Sequence, residues 1–133
     1  MSSTNQHNLF KDLKHIENKI FRGEATSVDI DYILQIKEII KGREQFCNYL
    51  IGLAYYFGVG RTKSETNGEK YFKLVKESED YIDIFNVAHA YSKLDDDHFS
   101  DRCLECLRIA SGKLKERAIE EFIYWNLTCL PKG

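Results

Sequence analysis

The sequence predicts an all-α protein, and three observations carry that prediction. The only proline, Pro131, stands at the end of the 133-residue chain, so nearly all of it is free to be helical. Apolar residues recur at three- and four-residue spacing almost from end to end, which is the period of a helix and not of a strand. Finally, the chain is self-similar. Ile51-Gly52-Leu53-Ala54-Tyr55 returns as Val87-Ala88-His89-Ala90-Tyr91, an offset of 36 (87 − 51).

The elements follow in order. Leu9, Leu13, Ile16, Ile20 and Phe21 form a first stripe that Gly23 closes. Thr26 or Ser27 caps a second helix striped by Ile30, Ile33, Leu34, Ile36 and Ile40. Further helices are expected at about 43–57, 66–79, 81–94, 99–111 and 114–130, the last ending before Pro131 and Gly133. Seven helices joined by short turns imply hairpins: a degenerate repeat at about 8–42, the best-formed at 43–79, a second at 81–111 and a terminal helix, together a short α-α solenoid in one domain. The second helix of each repeat also corresponds, with Gly68, Tyr71, Phe72 and Val75 matched by Cys103, Cys106, Leu107 and Ala110 at an offset of 35 (103 − 68). Gly52 and Ala88 then stand where a neighbouring helix approaches closely, and Tyr55 and Tyr91 fill the space within each hairpin.

Residues 46–76 resemble the Sel-one-like repeats, relatives of the tetratricopeptide repeats. Ile51, Gly52, Tyr55, Gly58 and Gly60, and then Gly68, Tyr71, Phe72 and Val75, carry the likeness. The resemblance implies an adaptor or scaffold role. The copy at 81–111 departs from it, having Leu94 and Asp95-Asp96-Asp97 where the first has its glycine pair.

Composition narrows the function classes. Nineteen basic residues nearly cancel 21 acidic ones, so the footprint needed to neutralise a nucleic-acid backbone is missing. No segment approaches the ~18 apolar residues of a membrane span, and a cytoplasmic location is expected. Cys47, Cys103, Cys106 and Cys129 fall inside apolar helical patterns, as reduced core cysteines do.

Three motifs invite a chemical reading. Gly58-Val59-Gly60-Arg61-Thr62-Lys63-Ser64 echoes a phosphate loop, but Thr62 stands where glycine must precede the lysine, and a helix precedes it where a strand is needed. The turn of a repeat is the better account. Cys103 and Cys106, with His98 ahead of them, have the spacing of half a zinc site; a second pair is wanting, so packing is expected and a metal or redox protein is the rival reading. His89 sits mid-helix with no Ser or Asp at the spacing of a triad. The glutamates Glu116, Glu120 and Glu121 follow helical spacing with Lys113, Lys115 and Arg117, as on a solvated face with intrahelical ion pairs. No enzyme, metal or cofactor is therefore expected.

One charge cluster remains, Asp95-Asp96-Asp97 with Asp101 and Glu105 behind it. As an anionic ridge it would attract a protein with a basic surface and speed encounter. Tyr49 and Tyr56, with Asn48 and Ser92, fall on the faces left over by the apolar stripes and are the candidate docking residues. The expected function is non-enzymatic protein binding, in concrete form an inhibitor or immunity protein that caps one toxin or enzyme. A second copy of the chain is a candidate to complete the last hairpin.

Overall fold

A computed structural model describes residues 3–128, and every regular element in that span is helical: α1 (Ser3–Phe21), α2 (Ser27–Lys37), α3 (Glu44–Phe57), α4 (Glu65–Lys76), α5 (Tyr81–Leu94) and α6 (Asp101–Thr128). They fall into two compact units, Met1–Ser78 and Glu79–Gly133, divided between the two better-formed repeats.

In the first unit α3 is the central element. Nine consecutive residues, Phe46 to Ala54, are buried, so this helix is enclosed on all sides and not merely along one stripe. Leu13, Ile16 and Ile20 of α1 and Ile30, Ile33 and Ile36 of α2 complete the aliphatic core. The entry to α2 is fixed chemically. The Thr26 backbone N–H donates to the Asp29 carboxylate at 2.9 Å, and Lys19 at the end of α1 pairs with the same group at 2.9 Å. Burial alone would raise the Asp29 pKa, but Lys19 and Thr26 outweigh it and hold the carboxyl below its ordinary value.

The crossing of α3 and α4 depends on two glycines placed reciprocally. A Cβ on Gly52 would lie 2.5 Å from the Phe72 ring, and one on Gly68 would lie 2.5 Å from the Tyr56 ring. Each helix thus gives up a side chain where the other inserts an aromatic, and Tyr56 and Phe72 stack at 5.0 Å. Tyr55 stacks on Tyr71 across the same hairpin at 6.0 Å. The connecting turn needs Gly58 and Gly60, whose φ values of 67° and 73° are left-handed. At Gly60 a Cβ would also strike Ile30 and the Thr26 carbonyl of the first turn of α2, so the turn is seated on that helix.

In the second unit α5 packs on the first half of α6, where Cys103, Cys106 and Ala110 are buried. The expected helices at 99–111 and 114–130 are one. Gly112 does not interrupt them: its φ is not left-handed, and open space surrounds the position of its missing Cβ. A lone helical glycine costs about 1 kcal/mol relative to alanine, too little to stop a helix that neither a cap nor a proline ends. The expected end at Leu130, with Cys129 and Pro131, lies outside the described residues. Three other boundaries shift, the first being the end of α4, expected at about 79 and found at Lys76. The α2 stripe was expected to reach Ile40, yet the helix closes at Lys37 in a turn that exposes Ile39 and buries Ile40. At the α5–α6 junction Phe99 precedes the helix, because Ser100 serves as its cap.

Candidate functional site

The acidic corner between α5 and α6 is built from local hydrogen bonds. The Asp95 N–H closes α5 on the Tyr91 carbonyl at 2.9 Å, and Asp96 then adopts φ 49°, the only left-handed residue other than glycine among those described. Asp is one of the few residues that tolerate this region at modest cost. The chain next turns back, with Asp97 N–H donating to the Ser92 carbonyl at 3.0 Å. The Asp97 carboxylate accepts from the Phe99 N–H at 2.9 Å, an Asx turn across residues 97–99. Ser100 Oγ accepts from the Cys103 N–H at 3.3 Å and starts α6.

These bonds sort the five predicted acidic residues. Asp95 is engaged inside the fold: Arg102 Nε donates to both of its oxygens at 3.0 and 2.9 Å, and Arg102 Nη2 donates to one at 2.5 Å. That contact, with a smaller contribution from Ser100, holds the Asp95 carboxyl below the usual range against the upward pull of burial. The same guanidinium lies 4.5 Å above the Tyr91 ring, so Asp95 and Arg102 lock the corner and Asp95 is not part of the outward ridge. Glu105 pairs with Arg108 along α6. Asp96, Asp97 and Asp101 are exposed.

Between these carboxylates stands Phe99, which the sequence reading did not single out. It is 77% exposed, and the Asx turn fixes the backbone that presents it. Leu104, one turn into α6, is exposed beside it in sequence and lines a shallow groove with Asp101, Glu105 and Arg108. The signal was available in the sequence: Phe99 lies between the turn residue Asp97 and the helix cap Ser100, where no apolar stripe can use it.

The tyrosine candidates are elsewhere. Tyr49 and Tyr56 are 1% and 4% exposed, so the expectation of a free docking face is corrected. Tyr49 lies against Phe46 and Phe72, and the Tyr56 hydroxyl donates to Glu69 at 2.7 Å. Asn48 and Ser92 are buried as well. In a helix enclosed on all sides there is no leftover face.

Cys103 and Cys106 are both buried, Cys106 completely. The Cys103 thiol donates to the His98 carbonyl at 3.4 Å, and burial, then the charges of Asp95 and Asp97, push its pKa up. A thiol so placed is a poor nucleophile and a poor metal ligand. Among the described residues no group of three or more His, Cys, Asp or Glu side chains is arranged to hold a metal ion. His89 is exposed on α5. The Gly58–Ser64 segment joins helix to helix, and Arg61 within it is held by Asp31 at 2.6 Å. Among the described residues no helix is long and apolar enough to cross a membrane. Comparison of the chain with family models, with curated proteins and with solved structures gives no match.

Proposed function

We propose that this chain is a non-enzymatic protein-binding module and that the α5–α6 corner docks a partner with a basic surface. The observation that carries the reading is Phe99, an aromatic side chain exposed on a locked turn among Asp96, Asp97 and Asp101. Interface energies concentrate in a few rigid aromatic anchors, whereas surrounding charges steer encounter. A pre-formed anchor inside an anionic rim supplies both. The Asp95–Arg102 lock keeps the turn in one conformation before a partner arrives, which lowers the ordering cost of association.

The concrete form of the proposal is an inhibitor or immunity protein that caps one cytoplasmic toxin or enzyme. The Sel-one-like resemblance of residues 46–76 supports the broader class, an adaptor built from helical hairpins. The test begins with a partner identified by co-purification and mass spectrometry, followed by titration calorimetry with purified components. Phe99→Ala should cost at least ~2 kcal/mol of binding, as truncation of a true anchor does, with the helical circular dichroism unchanged. If Phe99→Ala binds as wild type does, the docking site is not at this corner.

A further inference from the structure

We propose that a cleft in the first unit, where the α2–α3 turn meets the start of α1, binds a phosphoryl dianion, free or carried by a small molecule. It shares no residue with the acidic corner. The cleft has a volume of about 270 Å³ and is lined by Gln6, His7 and Phe10 of α1 and by Ile40, Lys41 and Arg43 of the turn. Its titratable side chains are all bases, in a chain whose acidic residues outnumber its lysines and arginines. Among the described residues no carboxylate lines it.

Arg43 distinguishes this cleft from ordinary solvated surface. Arg22, Arg61, Arg102 and Arg108 each pair with a carboxylate. Arg43 pairs with none among the described residues, and its guanidinium instead lies 4.0 Å above the Phe10 ring. Stacking occupies the face of the guanidinium and leaves its N–H edges, which grip an oxyanion by two parallel bonds, directed at no described acceptor. Phe10 is held in turn by Phe46 of α3, the ring centroids 5.3 Å apart. An arginine stacked in this way has already given up rotamer freedom that a freely moving one would lose on binding. Lys41 and His7 are exposed, and neither makes an ion pair or side-chain hydrogen bond with another described residue.

The turn that carries these cations is pre-formed. Gln6 clamps it from α1, its Oε1 accepting from the Lys41 N–H at 3.0 Å and its Nε2 donating to the Ile39 carbonyl at 3.4 Å. Gly42, at φ 72°, makes the left-handed step between Lys41 and Arg43. α3 begins at Arg43, so the positive end of its dipole adds to the same field. The lining then selects the class of ligand. A phosphate monoester carries a charge of about −2 and three acceptor oxygens, which Arg43, Lys41 and His7 match together. A carboxylate is satisfied by the arginine fork alone. The buried Ile40 and the half-buried Phe10 offer apolar contact to the body that carries the phosphate. The volume falls below the ~300–1,000 Å³ of pockets that enclose drug-sized ligands, so the molecule that fits is small.

Amide NMR titration of the full chain with phenyl phosphate, inorganic phosphate and benzoate tests this. Phenyl phosphate should shift the Lys41 and Arg43 amide signals saturably. Arg43→Gln should weaken its binding at least about tenfold, as the loss of a charge-assisted bidentate contact does. Arg43→Lys keeps the charge and loses the fork, so it should recover only part of that affinity. Lys41→Gln covers the case in which loss of the Arg43 stack disturbs the turn, and it should weaken binding severalfold. Lys70→Gln, the same change of charge on the exposed face of α4, should leave binding unchanged. Tighter binding of phenyl phosphate than of inorganic phosphate supports the site and identifies an ester as its ligand; equal binding supports it with free phosphate as the ligand. The inference is overturned if no saturable shift appears at millimolar phosphate or phenyl phosphate, or if benzoate binds as tightly as phenyl phosphate. It is equally overturned if Arg43→Gln or Lys41→Gln binds as wild type does, or if Lys70→Gln weakens binding as much as Lys41→Gln.

Discussion

The hairpins α3–α4 and α5–α6 share a pattern in the sequence, yet they solve the same packing problem with different chemistry. In the first, two glycines admit two aromatic rings, and the turn is made by Gly58 and Gly60. In the second, Cys103, Cys106 and Ala110 form the buried stripe, Asp96 supplies the left-handed residue, and the Asp95–Arg102 contact holds the turn. Both second helices begin with a serine cap, Ser64 accepting from Asn67 and Ser100 from Cys103. Glycine makes a turn that is compact and chemically mute. Replacing it with charged residues leaves carboxylates and an aromatic ring on the outside, and it is to this surface that the proposed docking is assigned.

The largest effect that would separate the two hairpins is at their crossings. Gly52→Leu should destabilise the protein by about 1–3 kcal/mol in urea unfolding, because the new side chain must displace the Phe72 ring. A neutral result would mean that α3 and α4 do not approach closely there. Next in size is the lock of the second hairpin. Arg102→Ala should cost about 1–2 kcal/mol near neutral pH through the lost ion pair and the lost contact with Tyr91. Its pH dependence has a definite sign. The folded Asp95 pKa is depressed, so the stabilisation is fully present above the ordinary carboxylate range and is lost as pH falls through the folded value. The gap between wild type and Arg102→Ala should therefore close in acid; a gap that persists there would assign the cost to packing alone.

The remaining two changes should stabilise. Gly112→Ala places a methyl group in open space inside a helix and should gain about 0.5–1 kcal/mol, the opposite sign from a side chain at Gly52. Asp96→Gly relieves a left-handed aspartate and should gain less than about 1 kcal/mol, since glycine also loses more freedom on folding. Thermal unfolding reads both. A loss of stability in Gly112→Ala would place a contact at that position that the present geometry does not contain.

Much of the architecture was legible from periodicity alone. The expected span 81–94 coincides with α5, and 43–57 differs from α3 by a single residue, since both are bounded by strong turn signals. The close approach at Gly52 followed from the repeat alignment. Tyr49 and Tyr56 were misplaced because subtracting apolar stripes finds an outer face only on a helix that has one, and α3 does not. The aligned stripes also differ: Gly68, Phe72 and Val75 are buried at spacings of four and three, Cys103, Cys106 and Ala110 at three and four, so the second copy is rotated about its axis in a way that residue identity does not reveal. The continuity of α6 was missed because glycine weakens a helix without ending it. At the acidic corner the ridge was visible as a charge run, but which carboxylates face outward depends on Arg102 reaching back across the turn to Asp95.

Association kinetics of the charge-reversed corner test the proposed function most directly. The variant Asp96→Lys, Asp97→Lys, Asp101→Lys leaves the Asp95–Arg102 lock in place and is compared with wild type by surface binding to the purified partner at low and at moderate salt. If the corner docks a basic surface, wild type should associate faster at low salt, the variant should associate more slowly, and its residual rate should lose most of its salt dependence, with dissociation changing less. An association rate equal to wild type at low salt would contradict the account and leave the corner as a solvated turn.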